Sequence, residues 1–146
     1  MNENQELLTY IYQNTKMGVT NCKDLLKNLN GKDNKIKKII EDELKEYEKL
    51  LKNSEKLLKK YKIGNPKDKG LIADLMSKVG MNMELLKDNS DARVADMLTK
   101  GFTMGNVDIS KKIDRYEKET DKDILKLAKE VLDFGKKNIE ILKPYL

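Results

Sequence analysis

Lys62-Ile63-Gly64-Asn65-Pro66 is where a long lysine-rich helix has to stop. Pro66 has no N–H to donate and drives Asn65 out of the helical region, while Gly64 tolerates the geometries that end a helix. The next strong helix start is Asp88-Asn89-Ser90, whose short side-chain oxygens suit an N-cap. The connection over 62–90 is therefore long enough to run the length of a helical bundle. An up-down-up-down chain needs only short turns.

The segments on either side are two helical hairpins. Upstream, Leu8, Ile11, Thr15, Gly18, Cys22, Leu25 and Leu29 recur at spacings of three and four. That is one apolar seam on a helix over about Glu6 to Asn28, ended by the turn Asn30-Gly31. Ile36, Ile40, Glu43, Tyr47, Leu50, Ser54, Leu57 and Tyr61 make the same seam on a second helix, over about Asn34 to Tyr61.

Downstream, Ala95, Leu98, Phe102, Gly105, Ile109, Ile113 and Tyr116 mark a third helix over about Asp91 to Lys118. Thr120 with Asp123 resembles a capping box for a fourth. Leu127, Val131, Phe134, Asn138 and Ile141 carry its seam, with Ile124, Ala128, Gly135 and Leu142 alongside, and Pro144 stops it. Within the connection, Ile72, Leu75, Met76, Val79, Met83 and Leu86 predict a short amphipathic helix over about Lys69 to Lys87. A faint repeat relates the hairpins: Lys16-Met17-Gly18 matches Thr103-Met104-Gly105, and at the same displacement Ile11, Cys22 and Leu26 meet Leu98, Ile109 and Ile113.

The expected fold is one all-α domain of 146 residues: hairpin 6–61, crossover 62–90 with its short helix, hairpin 91–144. The second and third helices should run parallel, because the crossover spans the bundle. Apolar and charged residues each make up 38 % of the chain, as long helices with wide solvated faces require. No apolar run reaches the 18 or so residues a membrane span needs. Met1 to Glu6 is polar and acidic, unlike a signal peptide, and the single Cys22 cannot form an internal disulfide. A cytoplasmic protein is expected.

Five stretches stand out together: Lys16-Met17-Gly18, Glu43-Leu44 with Tyr47, Asn65-Pro66-Lys67-Asp68-Lys69-Gly70, Met76 with Val79-Gly80, and Thr103-Met104-Gly105. In these the chain resembles the ferritin-like superfamily, and more narrowly small bacterial ferritin-like proteins that lack the di-iron ligands and have no assigned activity. The resemblance implies a ferritin-like four-helix bundle of two antiparallel hairpins.

Bundles of that kind hold metal pairs between Glu residues and Glu-x-x-His motifs. This chain has no histidine, and Gly18 and Gly105 fall where ligands would sit. No di-iron centre and no cofactor are expected. The remaining candidates for an oxygen-only metal site are Glu43, Glu46, Asp108, Glu130 and Asp133. Most of them read more simply as solvated partners of lysine.

Glu43 falls on the seam between Ile40 and Tyr47, with Tyr10, Tyr12, Thr15 and Tyr116 as potential partners. It reads as an edge residue whose stem packs while its head reaches water. Gly18, Gly101, Gly105 and Gly135 each weaken a helix by about 1 kcal/mol against Ala. Close packing at the waist, around Tyr47 and Phe134, is the expected offset. Thr15, Gly18, Glu43, Tyr47, Gly105 and Asn138 are thus the candidate inward polar and packing positions.

Without histidine, neither Cys22 nor any serine has the usual base of a nucleophile. The net charge of +5 rests almost wholly on lysine, with Arg93 and Arg115 the only arginines. Nucleic acid is therefore a weak expectation. Met76, Met81, Met83, Met97 and Met104 suit adaptable contacts. The leading functional expectation is a non-enzymatic protein acting through self-association or a protein partner. Iron or manganese binding by carboxylates is the alternative.

Overall fold

The structure, a computed structural model, describes residues 2–64, 66 and 88–146. Four long helices make up most of it: α1 (Glu3–Asn28), α2 (Lys37–Lys60), α3 (Asp91–Tyr116) and α4 (Lys122–Leu142). A 3-10 turn (Lys143–Tyr145) follows, with Pro144 inside it. There is no strand among the described residues. The short helix expected over 69–87, with Met76, Met81 and Met83, lies outside them.

Local chemistry sets the helix ends. α1 begins before Glu6 because the Asn2 side chain accepts the Gln5 N–H at 2.8 Å. α2 begins after Asn34 because that stretch is tied elsewhere. The Asn34 amide donates to the Asn89 carbonyl at 2.8 Å and to Asp91 at 2.9 Å. The Lys35 and Ile36 N–H groups also donate to the Asp91 carboxylate. One carboxylate in the first turn of α3 thus satisfies donors ahead of α2. Ser90 caps α3 as expected, accepting from Arg93 N–H.

The capping box at Thr120 and Asp123 does not form. Thr120 instead donates to the Tyr116 carbonyl at the end of α3, and Asp123 accepts from its neighbour Ile124. Nor is α2 stopped by Gly64 and Pro66. Lys62 takes the left-handed conformation (φ 56°), and the Ile63 N–H closes back onto the Leu58 carbonyl at 2.9 Å. In the first turn that left-handed position belongs to Gly31 (φ 78°).

These end contacts fix the topology. The starts of α2 and α3 meet at one end of the bundle. At the other, Asp121 N–H donates to Asn4 at the start of α1, and Tyr61 and Lys60 at the end of α2 both reach Asp123, each at 2.6 Å. So α2 and α3 run parallel to each other and antiparallel to α1 and α4. α1 packs along α2 and α3 along α4. α1 and α4 approach across the middle, and α2 and α3 sit apart at opposite corners.

The buried side chains fall into two groups. One end holds Leu7, Leu8, Ile11, Leu50, Leu58, Ile109, Ile113, Ile124 and Leu127. The other holds Cys22, Leu25, Leu29, Ile36, Ile40, Val94, Met97, Leu98 and Leu142. Most positions match the expected seams. In α2 the fully buried residue is Leu58, with Leu57 only partly covered, and in α4 it is Leu142, with Ile141 exposed. Each pair is adjacent, a one-residue drift between a regular seam count and the real helical period. No helix among the described residues is long and apolar enough to cross a membrane.

Candidate functional site at the bundle waist

Between the two apolar groups the helices bring together small, aromatic and polar residues. Tyr47 of α2, Phe102 of α3 and Phe134 of α4 form the aromatic centre. Tyr47 and Phe102 stack with ring centroids 6.1 Å apart. Phe134 meets Tyr47 edge-on at 4.8 Å and Phe102 edge-on at 5.6 Å. Both separations suit favourable quadrupole contacts.

Gly18 is what lets Tyr47 in. A Cβ on Gly18 would lie inside the Tyr47 ring carbons Cδ1, Cε1 and Cζ. Gly135 plays a similar part for the Asn106 amide. Gly105 does not behave like Gly18, although the sequence pairs them. Its Cβ would meet only Asn14 Nδ2, at an ordinary 3.5 Å, and it is half-buried. The close packing expected at Gly105 is therefore absent.

Gly105 borders a hollow of about 60 Å³ lined by residues of all four helices. Tyr47, Phe102 and Phe134 line it, with Gly18, Gly101 and Gly135 and the amides of Asn14, Asn21 and Asn106. The volume is about that of two water molecules. The asparagines were not singled out from sequence. Their signal was there, since Asn14, Asn21 and Asn106 are poor helix formers placed on or beside the seams.

The polar residues expected inside are inside. Thr15 is fully buried and donates to the carbonyls of Ile11 (2.8 Å) and Tyr12 (3.1 Å) in its own helix. Asn138 is buried and donates to the Phe134 carbonyl at 2.9 Å. Glu43 corrects the expectation of an edge residue. It is 1 % exposed, and neither carboxyl oxygen has a hydrogen-bond partner among the described residues. Its supposed partners are engaged elsewhere: Thr15 as above, Tyr12 accepting from Lys16, Tyr116 donating to Glu6.

Burial without a partner disfavours charge. It pushes the Glu43 carboxyl up to about 8, so the group is mostly protonated at neutral pH. Cys22 is shifted upward by burial and by the nearby carboxylates Glu43 and Glu48. Tyr47 and Tyr10 are shifted upward as well, burial again being the largest cause. Every one of these interior groups is held in its neutral form.

The five carboxylates considered for metal do not act together. Glu43, Glu46, Glu130 and Asp133 line one cleft between α2 and α4. Asp108 stands apart, on α3 near Tyr10, where its charge contributes to the tyrosine's upward shift. Among the described residues, no three acidic or cysteine side chains converge closely enough to hold a metal ion. Compared with protein-family models, curated proteins and solved structures, the chain matches none.

Proposed function

We propose that this chain is a cytoplasmic, non-catalytic protein of ferritin-like architecture that acts through self-association. On this reading the waist hollow receives an apolar group from a second copy. The observation that carries it is the hollow itself, walled by glycines, aromatic rings and amides, with the Tyr10, Cys22 and Tyr47 side chains that line it held neutral by burial. Such a wall favours an uncharged guest. Apolar contact is strengthened there by the absence of side chains at Gly101 and Gly105, and the asparagine amides supply orientation. The parallel placement of α2 and α3 supports the ferritin-like part of the reading.

Light scattering over a concentration series tests it, with the wild type beside Gly105→Leu. Leucine at position 105 would occupy part of the hollow that Gly105 lines. Association in the wild type, weakened about tenfold or more in the variant (about 1.4 kcal/mol or more), is the expected result. Two monomers at all concentrations, or two equal dimers, would refute it.

A further inference from the structure

The cleft between α2 and α4 is a different place from the waist hollow, with which it shares Phe134, and much larger, about 600 Å³. Glu43 contributes to its lining from a buried position, with both carboxyl oxygens unpartnered. A buried carboxyl has lost its hydration, and here no protein donor replaces it. Glu46 on α2 and Glu130 and Asp133 on α4 line the same cleft. Among the described residues none of these three is ion-paired, whereas Asp42 at the edge is held by Lys38 at 2.8 Å. Lys49 and Lys137 also border the cleft but leave the carboxylates in excess.

How these groups are arranged decides what kind of cation fits. Glu43 and Glu46 are three residues apart on α2, and Glu130 and Asp133 three apart on α4, so each pair shares a helix face. A point ion such as manganese needs several oxygens within about 2.6 Å of one centre, and no three acidic groups converge. Carboxylates that share a cleft without converging on one point instead suit separate charges on a flexible chain. Phe134 lines the cleft as well, and an aromatic ring adds attraction for an ammonium group.

We propose that the α2–α4 cleft binds a linear organic diammonium ion, one ammonium on Glu43 and the other among Glu46, Glu130 and Asp133. Binding is non-covalent. It is independent of the waist hollow, so this proposal and the self-association reading stand or fall separately.

Binding also moves a proton. The carboxyl that keeps its proton up to about pH 8 in the free protein releases it when an ammonium arrives. The titratable groups around it are Cys22 on α1 and Tyr47 on its own helix, both neutral, with Asp42, Glu46 and Lys49 on α2 and Glu130, Asp133 and Lys137 on α4 lining the same cleft.

Calorimetric titration of the whole chain with 1,4-diaminobutane at low salt provides the test. One site with Kd below about 1 mM is expected. Glu43→Gln should weaken it about tenfold or more, and Asp133→Asn, at an exposed position that cannot unfold the bundle, by about threefold. At pH 7 the heat should depend on the ionisation enthalpy of the buffer in the wild type but not in Glu43→Gln. The uncharged 1,4-butanediol should not bind. Absence of diamine binding, binding unchanged in both variants, or binding of manganese(II) alone at this cleft would overturn the proposal.

Discussion

At each end of the bundle, leucine, isoleucine and valine from the helices close on one another and leave almost nothing exposed. At the waist the same helices bring in glycine, asparagine, threonine and glutamate, with three aromatic rings and a hollow among them. The ends follow the rule that a core fills its space with apolar volume. The waist departs from it twice, by leaving space unfilled and by burying a carboxyl without a partner. Stability is concentrated at the ends, and the residues that cost stability are concentrated where the helices could bind something. A chain selected only for folding has no need of that contrast.

Truncating an end should give the largest effect. Leu25 is fully buried, so Leu25→Ala should cost roughly 2–5 kcal/mol in a denaturant melt. A loss under about 1 kcal/mol would mean that the ends are not the stable part.

The next contrast lies in pH. The unfolded Glu43 carboxyl releases its proton near 4.5, and the folded one keeps it to about 8. Between those values the folded state binds the extra proton. Stability from this group is therefore complete below pH 4.5, falls as pH rises through the window, and levels off above 8. The fall should be on the order of 5 kcal/mol in the wild type and should be missing from Glu43→Gln. Melts of the two proteins across that range would show parallel curves if the waist were hydrated.

The two glycines sharpen the comparison within the waist. Gly18→Ala should destabilise by roughly 1–3 kcal/mol, because the new methyl overlaps the Tyr47 ring. Gly105→Ala should stabilise by about 1 kcal/mol, because its methyl enters open space and the helix gains propensity. Opposite signs are expected in paired denaturant melts. Equal signs would show that the two sides of the waist are packed alike.

The frame of the fold was legible because it rests on backbone chemistry. The long connection 62–90 required parallel second and third helices, and the spacings of three and four placed Thr15 and Asn138 inside. What escaped was tertiary. Glu43 and Gly105 occupy seam positions, but whether a seam position meets a ring, water or a gap depends on side chains from other helices. Gly18 and Gly105 look equivalent in sequence, yet Tyr47 occupies the space beside one and nothing comparable stands beside the other. Asp123 looked like part of a cap and instead receives Lys60 and Tyr61 from a distant helix end. Of the carboxylates considered for metal, Glu43, Glu46, Glu130 and Asp133 line one cleft and Asp108 does not; periodicity does not reveal how far apart their heads stand.

Side-chain carbon NMR of Glu43 across a pH titration reads the protonation of the carboxyl buried at the waist. The carboxyl resonance, assigned by its loss in Glu43→Gln, should move with a midpoint near 8. A midpoint near 4.5, the value of an ordinary exposed glutamate, would contradict the account.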